Sequence, residues 1–198
     1  MIHKILTIVI LSVFSFAIGK TSNLGGTVKD AKGNEYRTHQ VGKQIWMIDN
    51  LKLKTKTSTC YEDKNENCDK YGVLYQEIET VQCPSGFHVP SSTEWETLIQ
   101  NLGGNPKATE YMKKKMNLQL VGGGLTQDGC NSMGEQVAFW SSSRDYVEGD
   151  YEGTGMFWDN VFYEVLHDAF NGTLLKTVAK GCCVSCGAYV RCVQTIYK

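Results

Sequence analysis

Proline is scarce, with three in 198 residues, so a Pro-rich linker or stalk is excluded. No charge of one sign dominates: 20 Lys and Arg stand against 21 Asp and Glu, a net charge of −1. The basic excess of a nucleic-acid binder is therefore missing, and so is a polybasic membrane patch. There is no internal repeat and no low-complexity segment. Histidines number four. His3, His39, His88 and His167 share no short spacing, so no zinc motif is present. No Ser-His-Asp set and no glycosidase-like carboxylate pair can be assembled. Beyond the first 20 residues, no apolar run approaches the ~20 needed to span a bilayer.

What is there begins with glycine, 20 residues, and cysteine, eight. Apolar residues make up 41% and charged residues 21%, an ordinary globular balance for one domain. The N-terminus accounts for the cysteines. His3 and Lys4 precede an apolar run from Ile5 to Ile18, and Ala17 and Gly19 sit at the −3 and −1 positions of a cleavage site. Residues 1–19 are read as a secretory signal peptide, because a run of about 14 is short for a membrane anchor. No Cys follows it, which argues against a lipoprotein anchor. Residues 20–198 are then one domain, secreted to an extracellular, cell-surface or periplasmic location, where disulfides form.

Alternation and turn residues predict hairpin strands over about 35–41 and 44–48, with turns at Lys32-Gly33-Asn34 and Val41-Gly42-Lys43. Residues 54–70 read as polar and irregular, and 71–80 as a short helix. PSSTEWETLIQNLGG, residues 90–104, is the clearest local signal. Ser91 and Glu94 form a capping box. Trp95, Leu98, Ile99 and Leu102 make an amphipathic stripe, and Gly103-Gly104 ends the helix. A second helix is predicted over Lys107–Lys115, with Tyr111, Met112 and Met116 as its packing residues. Strand-like stretches follow at Val137–Ser141, Gly155–Tyr163, Leu174–Val178 and Ala188–Ile196. Strands, then helices, then strands define an α+β fold.

Several segments carry a family resemblance: DAKGNEYRTHQVGKQIWMIDNLK at 30–52, CYEDKNENC at 60–68, YGVLYQ at 71–76, CPSGFHVPSSTEWETL at 83–98, FWSSS at 139–143 and AYVRCV at 188–193. In this order the chain resembles the Fibrobacter succinogenes major paralogous domain, a family of secreted bacterial proteins. It is more distantly similar to the sulfatase-modifying (formylglycine-generating) family, whose helix start looks like residues 89–96. The chain departs from the first family at Phe87 and Val89, where Trp and Leu are usual. Its Asn117–Gly124 stretch is also shorter, and GCCVSCGAYVRCV carries three extra cysteines. The resemblance implies a C-type-lectin-like fold with mixed sheets, two flanking helices and long loops, stapled by disulfides. It also implies the pairs Cys60–Cys68 and Cys83–Cys192. Cys130 would then join one of Cys182, Cys183 or Cys186.

The Cys182–Cys186 run has two readings. One is a reactive-thiol site, as in a formylglycine-generating-type or thiol oxidoreductase enzyme. The other, preferred here, is structural disulfides, since the Ser, Arg and His residues of that enzyme's active segment are missing around it. Asp63, Asn65, Asn67 and Asp69 alternate like early EF-hand ligands. No Gly follows at the sixth position, however, and Leu74 stands at the twelfth, so a solvated loop is expected. Neither the Glu-Pro-Asn nor the Gln-Pro-Asp tripeptide of calcium-dependent lectins occurs. No cofactor and no metal are expected. His88 reads as a packing residue and Trp140 as core.

The segment 140–163 interleaves aromatics with charges. Arg144, Asp145, Tyr146, Glu148, Asp150 and Tyr151 are the candidate ligand-binding residues. Aromatic faces cover the C–H faces of sugar rings, and carboxylates and Arg take in-plane hydrogen bonds. The same stretch equally reads as a solvated acidic loop. The sequence thus points to a non-catalytic binding or adhesion module whose partner is an extracellular polysaccharide or a surface protein. An enzyme of the formylglycine-generating type and a structural cell-surface component are the alternatives.

Overall fold

The computed structural model describes residues 25–122, 133–134, 136–147, 157–168, 172–179 and 187–197. Positions 136, 144–147, 157–168 and 172–179 are described as backbone. The signal-peptide reading of 1–19 lies outside the described residues.

Strands β1 (Thr27–Lys29), β2 (Glu35–Val41) and β3 (Gln44–Met47) form an antiparallel meander. The strand β9 (Val193–Thr195) closes it, pairing antiparallel with β3 to give the order β1-β2-β3-β9. Trp46 and Met47 are adjacent and fully buried, so β3 buries opposite faces in two different clusters. The chain from 188 to 193 does the same: Tyr189 and Val193 enter one cluster, Ala188, Val190 and Cys192 the other. This segment is thus the partition between two halves of the core. It is held by isolated bridges Tyr75↔Ala188 and Phe139↔Tyr189 and by the pairing of β9, so the continuous strand expected over 188–196 is regular only at its end.

Helix α2 (Ser92–Asn101) follows its sequence signal closely. Glu94 N donates to Ser91 Oγ, Ser91 N donates to Glu94 Oε2, and the capping box is complete. Trp95 and Leu98 are fully buried, while Ile99 and Leu102 pack partly buried against the same cluster. Trp95 lies between Trp46 and Phe139, with ring centroids 4.6 and 5.4 Å away. Helix α3 spans Lys107–Lys115 as expected, with Met112 and Met116 buried and Tyr111 partly so. Trp140 is core, 3% exposed, and its indole N–H donates to Tyr75 O at 2.8 Å.

Two local expectations are corrected. Residues 54–70 are not irregular throughout: Ser58–Thr59 is strand β4, and Asn65–Tyr71 is helix α1, an α-helix beyond the two flanking helices that the resemblance implies. The helix lacks a side-chain N-cap and an apolar stripe, the two signals that a sequence offers. Its Cys68 is tied to Cys60 instead. Residues 71–80 are not a helix. Gly72, at φ +93°, ends α1 where a Cβ would come within 2.6 Å of Asn50 Cβ. Strand β5 (Leu74–Tyr75) follows, pairs with β4 and buries both its side chains, and a 3₁₀ turn covers Ile78–Thr80.

The remaining strands form an antiparallel sheet: β6 (Gln136–Val147), β7 (Phe157–Asp168) and β8 (Gly172–Ala179), in the order β6-β7-β8. The architecture is α+β, antiparallel sheets with helices against them. The disulfides Cys60–Cys68 and Cys83–Cys192 are both present. In the chain-entropy view they contribute about 2.6 and about 4.8 kcal/mol, because the second closes a far longer loop.

Candidate functional site

Two surfaces lie at opposite ends of β3. The first is an open groove of about 730 Å³ beside Gln44, between the β2–β3 turn, the start of α2 and the end of β9. Glu94 is its anchor. Besides the Ser91 backbone, its carboxylate accepts from Ser91 Oγ at 3.0 Å, His88 Nε2 at 2.8 Å and Thr195 Oγ1 at 2.8 Å. Burial alone would raise the Glu94 pKa. The hydrogen bonds from Ser91, His88 and Thr195 outweigh it and hold the carboxyl below its ordinary value. His88, expected to pack, is instead exposed on this rim, because its backbone bridges Val193 and turns the ring outward to Glu94. Gln44 Nε2 donates to Glu94 O and its Oε1 accepts from the Trp46 indole, so the groove floor is fixed to the core. Lys43, Thr93, Thr97 and Asn101 line the walls, and Tyr197, 89% exposed, stands at the edge.

The second surface is a small cavity of about 40 Å³ at the other end of β3. Arg191, 2% exposed, lines it. Its guanidinium donates to Asn50 Oδ1 (2.9 Å), Met116 O (2.6 Å) and Asn117 O (2.9 Å), and lies over the Phe139 ring. Asp49, also on the cavity wall, is held bidentately by Arg37 Nε and Nη2 and accepts from the Arg37 backbone. Burial works to raise the Asp49 pKa, but these Arg37 bonds win and keep it below its ordinary value.

Of the six residues proposed from the sequence, Arg144, Asp145 and Tyr146 lie consecutively on β6, opposite Asn160, Asp159 and Trp158 of β7. The register shifts between Trp140 and Arg144, so this end of β6 follows an irregularity. Glu148, Asp150 and Tyr151 lie outside the described residues, as do Cys130, Cys182, Cys183 and Cys186. The alternating Asp63, Asn65, Asn67 and Asp69 do not form a loop of ligands. Asn65 Oδ1 accepts from Lys54, and Asn67 Nδ2 donates to Tyr61 O, so α1 has turned these two asparagines to structural partners. The sequence does not single out Glu94 beyond its cap, nor Arg191 beyond the AYVRCV segment.

A family model, the Fibrobacter succinogenes major domain, matches residues 35–194. The chain belongs to that family. Neither the curated proteins nor the solved structures gave a match.

Proposed function

We propose that the chain is a secreted, non-catalytic binding or adhesion module of C-type-lectin-like type, whose ligand is an extracellular polysaccharide or a surface protein. The observation that supports this reading is the groove at Glu94. It offers hydroxyls, amides, one lysine and an exposed tyrosine on a floor locked to the core by Gln44 and Thr195. Sugars are held by this chemistry: several directional polar groups beside a flat ring, fixed before the ligand arrives. The residues Arg144, Asp145, Tyr146, Glu148, Asp150 and Tyr151 offer the same chemistry in sequence and form the second contact surface of the proposal.

A polysaccharide pull-down and glycan array on residues 20–198 tests it. Retention on at least one polymer, weakened by Tyr197→Ala or Tyr146→Ala, is the expected result. No retention on any polymer or surface protein, together with reducible, reactive thiols at Cys182, Cys183 or Cys186, would replace it with the thiol-enzyme reading.

A further inference from the structure

Arg191 is the most deeply buried of the Arg, Lys, Asp and Glu side chains among the described residues, and none of its hydrogen bonds ends on a carboxylate. Its three partners are an amide and two backbone carbonyls. They solvate the cation without neutralising it. Burial pushes its pKa down to about 10, which still leaves it charged at neutral pH. The carboxylate on the same cavity wall, Asp49, is bonded to Arg37 and also acts on Arg191 through space, so a single carboxylate stands against two guanidinium groups. Lys52 and Lys70 add two more positive charges to the wall. Lys52 donates to Asp69 O, and Lys70 lies 4.8 Å from the centre of the Tyr71 ring, so both are tethered close to the opening.

Buried charges in proteins are compensated, and an arginine fork matches a carboxylate. Two of the five guanidinium N–H groups are left after the three bonds above. The cavity of about 40 Å³ exceeds the roughly 10–15 Å³ needed for one water. It admits a carboxylate and the carbon that bears it, while a sugar ring has to stay at the mouth. There it meets Tyr71 and the amides of Asn117 and Gln119.

We propose that this cavity is a carboxylate subsite, in which Arg191 receives the acid group of a uronic-acid residue in an acidic saccharide. It is separate from the groove at Glu94, at the opposite end of β3, and stands or falls independently of it. The saccharide source is favoured over a small organic acid or an acidic peptide because ring-sized amide and aromatic contacts surround an acid-sized hole.

Titration calorimetry of residues 20–198 with trigalacturonate, its carboxyl-reduced trimer, sodium acetate and a hexaglutamate peptide tests this. Trigalacturonate binds, and the carboxyl-reduced trimer binds at least about tenfold more weakly, a difference of about 1.4 kcal/mol. Lys70→Glu and Gln119→Ala, both at exposed positions, lower the trigalacturonate affinity about three- to tenfold without changing the melting temperature. Arg191→Lys removes the fork, but Arg191 also holds the end of α3, so the two rim variants are the ones that decide. Equal affinity for both trimers, wild-type affinity in both variants, or no binding of trigalacturonate overturns the proposal. Acetate or hexaglutamate binding as tightly as trigalacturonate overturns the saccharide assignment. Retention of neutral polymers on the array beside a silent trigalacturonate titration would sink this subsite alone.

Discussion

Replacing Glu94 by alanine removes a carboxylate that accepts four hydrogen bonds from three residues. The Ser91 N–H at the start of α2 loses its acceptor, a cap loss of about 1 kcal/mol. Thr195 Oγ1 loses a charge-assisted bond that ties β9 to the helix, about 1.5 kcal/mol at the low end for a partly solvated site. The His88 pair is half-exposed and adds about 0.5 kcal/mol. A total loss near 3 kcal/mol lowers the melting temperature by about 6–12 °C in a domain of this size. Urea unfolding with linear extrapolation, backed by calorimetry, measures it. Glu94→Gln, which keeps a capping side chain but no charge, loses less. The pH dependence carries its own sign. The Glu94 pKa is depressed in the fold, so its contribution is complete above the ordinary value of 4.5 and is lost as pH falls through the lower folded value. The advantage of wild type over Glu94→Gln therefore shrinks below about pH 4.5. A Glu94→Ala loss under about 1 kcal/mol, or a wild-type advantage that does not change with acid, would refute the argument.

Trp95→Ala, which empties the space between Trp46 and Phe139, costs about 3–5 kcal/mol in the same unfolding assay, and a loss under about 1 kcal/mol contradicts its core role. Removing Cys83–Cys192 by paired Ala substitutions destabilises more than removing Cys60–Cys68, about 4.8 against about 2.6 kcal/mol, and the reverse order would refute the loop-closure account. Non-reducing peptide mapping finds Cys130 linked to Cys182, Cys183 or Cys186; recovery of Cys130 as a free thiol rejects that pairing. Tyr146→Ala and Tyr151→Ala each weaken polysaccharide binding by about 1–3 kcal/mol, by analogy with aromatic stacking on bases. Wild-type affinity in the double variant removes those residues from the site.

The helix at Ser92–Asn101 is legible in the sequence because all of its determinants are local: cap, stripe and glycine stop lie within 15 residues. Strands β2 and β3 are legible for the same reason. Helix α1 is not, since a disulfide and a docked glycine hold it where cap and stripe are lacking. His88 reads as a packing residue in sequence and sits on a rim in the fold, because its orientation depends on Val193, across the sheet. Both candidate surfaces come from pairings remote in sequence. Glu94 meets Thr195 across 101 positions, and Arg191 meets Asn50 across 141. No window along the chain contains either pair, so residue types alone point to the aromatic-acidic stretch at 144–151 instead.

The seat of β9 beside β3 has a consequence for the order in which the molecule can be completed. The meander β1-β2-β3 leaves the ribosome well before the strand that covers its open edge. At roughly 5–20 residues per second, the intervening ~150 residues take about 7–30 s to emerge, and β3 presents unpaired backbone throughout. The partition at 188–193 is equally late, so both halves of the core wait on the same few residues. Closing the sheet therefore rests on a pairing remote in sequence, slow in the manner of long-range contacts.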